Sequence, residues 1–428
     1  MARVLVCADG FFRAFSPFGL EPYIESFINV LARLGNRVMP YICQDFEHRK
    51  PWKQKFYSWK AVQEVKKFDP EIVFAFNNAF NPQFFKQFHC PVYIIASDTP
   101  IYWRNKDLLK ENADLYSVCY FNADMSATLK DEYHIPLERQ LLIPYSTDMR
   151  CDETKVFDKD ISFIGNFYNP NTFLFDSFLA DWAIQSDENK KNLRKLFVQL
   201  IDELQISKTK NDKTRENYKR ISNLLGRDCD YDFVISEIFG ALTSEQRIEC
   251  LSALTDMDLH IYTWSQNFRC ISNYYSLFRK CHLESVYSIE ANQNIYNESK
   301  ISLNLPHAQV KTGFSWRVGD IMASNSMLLS NPSEDLIRLF DGTVPTFDSA
   351  RELKDKCQYF LKNEAERTNI VKASQKMIDK NHRYENTFKV IEEYSGIKLL
   401  NTGVAQAVEQ FSRTKKKQQR WLRKIKNV

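Results

Sequence analysis

The chain has 428 residues, with 58 Lys and Arg against 54 Asp and Glu, yet eight of those cations (Arg413, Lys415, Lys416, Lys417, Arg420, Arg423, Lys424 and Lys426) crowd into residues 411–428, where no acidic residue occurs. The remaining body, with 50 basic residues against 54 acidic ones, carries a net negative charge and is excluded as a surface built throughout to grip a polyanion. At 44% hydrophobic and 14% aromatic residues, the chain can fill the cores of two domains of roughly 150–200 residues, which excludes global disorder.

Taken in order, the first part alternates strand and helix signals. Short apolar runs at 2–8, 38–43, 71–76, 91–98, 114–121 and 141–146 read as strands, with helices expected at 22–34, 58–68, 84–88 and 123–132 between them. Strands of this kind separated by helices imply a parallel sheet covered on both faces. Ligands of such sheets gather at the strands' C-terminal ends, where Asp9 and Asp98 fall. A charged connection at 148–159 suggests a domain boundary, giving a first domain at 1–150 and a second at 160–390. The second cycle opens on a strand at 160–165 and then passes through a charged, helical insertion at 172–258. Within it, 206–220 reads as a solvated turn or helix face. Strands are expected at 258–263, 285–289, 301–306 and 327–331, and helices at 315–324, 349–362 and 364–381. Residues 391–428 form C-terminal helices and the basic tail.

No run of about 18 apolar residues occurs, so no spanning helix is expected, and the start reads directly into a strand without the regions of a secretory signal. The ten cysteines form no CxxC pair and read as reduced thiols of a cytoplasmic protein. With only 11 glycines the chain has neither GxGxxG nor GxxxxGK[ST], which disfavours the dinucleotide fingerprint and the P-loop. The seven histidines are dispersed, with no two at helical spacing, so neighbouring histidines form no metal site.

Several blocks appear in order: DISFIGNFY (160–168), LHIYT (259–263), SVYSIEANQNIYNESKISLN (285–304), SWRVGDIMASNSMLLS (315–330) and HRYENTF (382–388). Together they resemble the C-terminal domain of bacterial CgeB-like glycosyltransferases, a group with the GT-B fold, and VYIIASDTP (92–100) resembles a strand and turn of their N-terminal domain. The resemblance implies an α/β protein of two Rossmann-like domains facing a cleft, with the donor in the second domain and the acceptor in the first. It implies transfer from a UDP-, GDP- or CMP-linked sugar, used as substrate with no bound cofactor or metal. The acceptor would be a surface glycan, a lipid-linked saccharide or a protein.

The residues suit that chemistry. A diphosphate needs cations, and Arg317 or Lys311 would meet it and stabilise the departing nucleotide. Asp320 lies one helical turn after Arg317, on the same face. In GT-B enzymes with an E-x7-E pair, the second carboxylate contacts the ribose. Asp320 occupies that place here, while Thr312 stands at the first. Gly165, Asn166, Tyr262, Thr263 and Asn304 end strands where base and ribose contacts gather, and His307 is a candidate for phosphate. Asp98 and Asp9 would act on the acceptor side as base or sugar contacts. Each has an ordinary alternative: Arg317 with Asp320 as an exposed ion pair, Lys311 as a solvated lysine, Asp98 and Asp9 as strand-end turn residues. His382 and Tyr384 read as structural, locking the returning C-terminal helices.

The tail at 411–428 reads either as a solvated helix end or as a segment lying on anionic lipid, since Trp421, Leu422, Ile425 and Val428 share one face opposite the basic one. Nucleic acid is a weaker reading, because the body has no basic run interleaved with aromatics. Two other function classes stay open at this point: a nucleotide-sugar epimerase or hydrolase of the same fold, and a non-catalytic carbohydrate-binding protein.

Overall fold

Apolar runs of five to seven residues are too short for helices and too apolar for an exposed edge, so they bury both faces in parallel sheets. A computed structural model describes residues 1–9, 20–43, 59–98, 103, 106–168, 183–208, 210–226, 231–264, 267–284, 286, 288–401 and 404–409. The chain divides into two compact units. One takes Met1–Met149, Tyr287–Ala291 and Met377–Val428, and the other Arg150–Val286 and Asn292–Lys376.

The first unit holds strands β1 (Arg3–Asp9), β2 (Arg37–Cys43), β3 (Ile72–Phe76), β4 (Val92–Ala96), β5 (Tyr116–Tyr120) and β6 (Gln140–Leu142), in the spatial order β2-β1-β3-β4-β5-β6. Every pairing is parallel, as expected where each strand is followed by a crossover. The helix Pro22–Arg33 opens with proline at its first position, where a missing N–H leaves no hydrogen bond unmade. It turns Phe27 onto the sheet against Phe74 and Phe76, with ring centroids 5.2 Å away in both cases.

C-terminal residues complete this core. Phe388 and Tyr384, in the helix Tyr384–Ser395, meet the same Phe27 ring at 5.0 and 5.9 Å. His382 Nδ1–H donates to the Tyr145 carbonyl (2.9 Å) and the Tyr384 hydroxyl donates to the Tyr23 carbonyl (3.2 Å). Arg383 Nη1 donates to Met149 O (2.5 Å). Buried Asn36 donates to the Leu399 carbonyl (2.7 Å), and Arg37 pairs with Glu409.

The second unit holds β7 (Lys159–Ile164), β8 (Leu259–Tyr262), β9 (Cys281–His282), β10 (Ser299–Asn304) and β11 (Met327–Ser330), in the order β11-β10-β7-β8-β9. These strands too are all parallel. Alternation sets the two faces. Ile161, Phe163, Ile261, Ile301, Leu303 and Leu329 enter one hydrophobic core, while Ser162 and Ser302 meet on the opposite face at 2.8 Å.

Between β7 and β8 stand the helices Asp187–Ser207, Asp212–Leu225 and Tyr231–Ser252, the helical insertion read from the sequence. The segment expected as a solvated turn or face contains a capped helix start. Asn211 Oδ1 accepts from Thr214 N–H (2.9 Å) while Thr214 Oγ1 accepts from Asn211 N–H (2.9 Å), a reciprocal cap that satisfies two helix-end donors.

One strand was misplaced. At 285–289 Ile289 instead begins the helix Ile289–Glu298, because Ser288 Oγ accepts from Ala291 N–H (3.0 Å) and caps it. The edge strand is the two-residue β9, a few residues earlier. Among the described residues, no helix is long and apolar enough to cross a membrane.

Candidate functional site

The C-terminal edge of the second sheet gathers most of the expected residues. Gly165 follows β7, and its N–H donates to the Tyr262 carbonyl (3.0 Å). A Cβ at this position would stand 2.5 Å from Phe163 Cζ, so the Phe163 ring occupies the space a side chain would need. Asn166 Oδ1 accepts from Asn267 Nδ2 (3.3 Å), which also donates to Thr263 Oγ1 (3.1 Å). Asn267 thus joins two expected residues, and no motif marks it.

Asn304 ends β10, buried. Its amide donates to Ser330 Oγ (2.8 Å) and its Oδ1 accepts from Ser315 Oγ (2.9 Å) and Arg317 Nη1 (3.1 Å). The Arg317 guanidinium also lies over Phe163, with Cζ 5.7 Å from the ring centroid. Two groups, Gly165–Asn166–Thr263 and Asn304–Arg317, therefore share Phe163 as a wall. Asp320, partly buried, faces the same surroundings as Arg317. Burial raises the pKa of the Tyr296 phenol, Arg317 opposes that rise and Asp320 adds to it. Lys311 is exposed. At Thr312, read from the sequence as the first place of an E-x7-E pair, Oγ1 is a buried hydroxyl without a hydrogen-bond partner among the described residues.

Tyr262 turns away from solvent and stacks on His282 (4.3 Å, 10°). Burial first, with nearby carboxylates adding, pushes its pKa up to about 12. His282 Nε2 lies 2.9 Å from His260 Nδ1, and His260 Nε2 lies 3.0 Å from Asp258 Oδ1. A carboxylate only accepts, so the His260 Nε2–H donates to Asp258, and the facing nitrogens of His260 and His282 share one hydrogen bond. These histidines are far apart in the sequence and meet only because β8 and β9 are neighbours.

In the first unit, Asp98 follows β4 and is exposed. Asn77 organises it: Nδ2 donates to Asp98 Oδ2 (2.8 Å) and Oδ1 accepts from the N–H groups of Ser97 and Asp98 (2.9 and 3.0 Å). Asn77 holds a left-handed backbone (φ 46°), which asparagine tolerates better than most residues. Asp9 ends β1, and its side chain lies outside the described residues, as does the tail at 411–428.

Sequence reasoning missed Arg247 altogether. It sits buried in the helix Tyr231–Ser252, and desolvation pushes its pKa down to about 10. One arginine in a charged helical stretch carries no periodic signal. His307, considered for phosphate, packs edge-on against Tyr168 (4.9 Å). Burial, with the charge of Arg247 adding, pushes its pKa down to about 3.

Four Asp-x-Asp triplets occur, at 158–160, 228–230, 230–232 and 256–258. The first and last lie at the N-terminal ends of β7 and β8, the edge opposite the site. There Asp158 pairs with Lys159, Asp160 with Lys300, Asp256 with Lys354 and Asp258 with His260. Asp228 and Asp230 of the middle two lie outside the described residues, and Asp232 pairs with Lys210. Among the described residues, no group of three or more His, Cys, Asp or Glu could hold a metal ion.

Residues 245–393 match a family described as "Glycosyl transferase-like". No curated protein sequence matches the chain. Among solved structures, it is similar to the sucrose-phosphate synthase of Thermosynechococcus elongatus (TM-score 0.52, 10% identity, 91% of this chain and 98% of that one). It is similar to the phage T4 β-glucosyltransferase in complex with UDP and Mn2+ (0.53, 10%, 92% and 99%). It is also similar to Anabaena HepE in complex with UDP and glucose (0.51, 10%, 92% and 100%). At such identity the structures establish the fold: two parallel-sheet Rossmann-like domains of the GT-B kind. A glycosyl transferase-like domain carried on that fold makes this chain a transferase, a glycosyltransferase of GT-B type.

Proposed function

We propose that the enzyme moves a sugar from a nucleotide-sugar donor, bound at the C-terminal edge of β7, β8 and β10, to a surface glycan, lipid-linked saccharide or protein bacterial acceptor. The observation that carries this reading is Arg317, whose guanidinium is held by Asn304 and backed by the buried Phe163 ring. Breaking a sugar–phosphate bond leaves new negative charge on the nucleotide, and a cation fixed beforehand stabilises that charge without reorganising. The complexes of two similar proteins with UDP support a nucleotide diphosphate as the ligand.

On this reading Gly165 and Asn166 let the donor approach the backbone, while Thr263, Asn304 and the rim of Tyr262 receive base or ribose. Asp320 contacts the ribose, Lys311 reaches the phosphates from its exposed loop, and Asp98, held by Asn77, serves the acceptor with Asp9. Wild-type protein should gain thermal stability with UDP, GDP or CMP or their sugars, and Arg317→Ala should weaken that binding at least tenfold in calorimetry. Affinity unchanged from wild type for UDP, GDP and CMP alike would reject the placement. Steady nucleotide release with every acceptor offered would instead favour hydrolysis.

The enzyme is further proposed to work in the cytoplasm against the inner membrane face, through the tail at 411–428. Its composition, eight cations with Trp421, Leu422 and Ile425 interleaved, suits anionic lipid. The full chain should sediment with phosphatidylglycerol vesicles at low salt and a chain ending at residue 410 should not. Equal sedimentation of the two would remove the tail from the mechanism.

A further inference from the structure

Arg247 is only 3% exposed, and among the described residues no carboxylate pairs with it. Each guanidinium nitrogen donates to a backbone carbonyl instead. Nε and Nη2 bond Leu305 O (3.1 and 2.7 Å), and Nη1 bonds Asn166 O. Leu305 is the first residue after β10, and Asn166 the second after β7. One side chain therefore ties together the two segments that leave the candidate site's edge of the sheet.

The guanidinium plane is also engaged. Arg247 Cζ lies 5.7 Å from the Phe163 ring centroid and 5.6 Å from that of Tyr168. Arg317 reaches the same Phe163 ring at 5.7 Å. Gly165 leaves the ring its space, so ring, turn and both cations form one packed unit.

Two carbonyls could be satisfied by a neutral amide. A buried cation with no counter-charge among the described residues is costly, and its place beside the site suits an anionic ligand. The rigid fork of arginine suits the geometry, since an ammonium cannot span two carbonyls and stack on two rings.

We propose that Arg247 is a positioning residue of the donor site: it fixes the segments after β7 and β10 and the Phe163 wall behind Arg317, and its positive charge favours an anionic diphosphate there. This rests on the donor reading above.

The test uses Arg247→Met, which keeps bulk without charge, and Arg247→Lys, which keeps charge without the fork. In the nucleotide-free protein, backbone amides at 163–168 and 303–309 should exchange hydrogen at least tenfold faster in both variants. Affinity for whichever of UDP, GDP and CMP the wild type binds should fall at least tenfold in Arg247→Met. Arg247→Lys should recover part of that loss at low salt and less at high salt. Should the methionine variant fail to fold, Arg247→Gln supplies the neutral comparison. Unchanged exchange at both segments, or unchanged affinity in a folded neutral variant, overturns the proposal. A wild type that binds none of the three nucleotides rejects the donor reading, and the exchange measurement then decides separately whether Arg247 clamps the two segments.

Discussion

Phe27→Ala is expected to destabilise the first domain by about 3–5 kcal/mol, the usual cost of emptying a buried phenylalanine site. Phe27 is buried under four other rings. Phe74 and Phe76 come from β3, and Tyr384 and Phe388 from the C-terminal helix. Edge-to-face pairs add to the area term, and rings arriving from two directions cannot both collapse into the gap. Urea unfolding should show the loss as a lowered midpoint. Phe27→Leu, which keeps most of the volume, should retain much of the stability. A Phe27→Ala chain within about 1 kcal/mol of wild type would show that the C-terminal helix is anchored elsewhere.

The second large effect is on pH dependence. His307 has an ordinary pKa of 6.5 in the unfolded chain and about 3 in the folded one. At pH 7 it is mostly neutral in both states and contributes little slope. As pH falls through 6.5 the unfolded chain takes up the proton and the folded chain does not. Stability therefore drains away toward pH 3, at about 1.4 kcal/mol per pH unit, or about 2 kcal/mol between pH 6.5 and 5. His282 and His382 are shifted in the same direction by burial, so the informative quantity is a difference. The melting temperature of His307→Gln should fall less steeply with acidification than that of wild type. Parallel curves would mean that His307 is protonated in the folded protein as readily as in the unfolded one.

The strands were legible because burial on both faces leaves a continuous apolar signature, and ten of the eleven among the described residues lie where such runs occur. β9 was not legible. Two residues carry no period, and Cys281–His282 is held by its neighbour β8 rather than by its own composition. The apolar run at 285–289 misled because a serine cap, a single hydrogen bond, overrode it. At the site, Asn304 and Arg317 were within reach because a strand end and a helix start are visible in sequence. Arg247, Asn267 and Asn77 were not, since each acts through partners 4 to 101 positions away. Their roles are created by the crossing of chain segments.

The first domain is assembled from stretches far apart in sequence, with Tyr384 and Phe388 packed on Phe27 beside Phe74 and Phe76. On the ribosome this inverts the usual order of maturation. The residues between Arg150 and Lys376 emerge complete while Phe27 still waits for Tyr384 and Phe388. The domain begun first is finished last, and until Tyr384 and Phe388 emerge its Phe27 face stays uncovered.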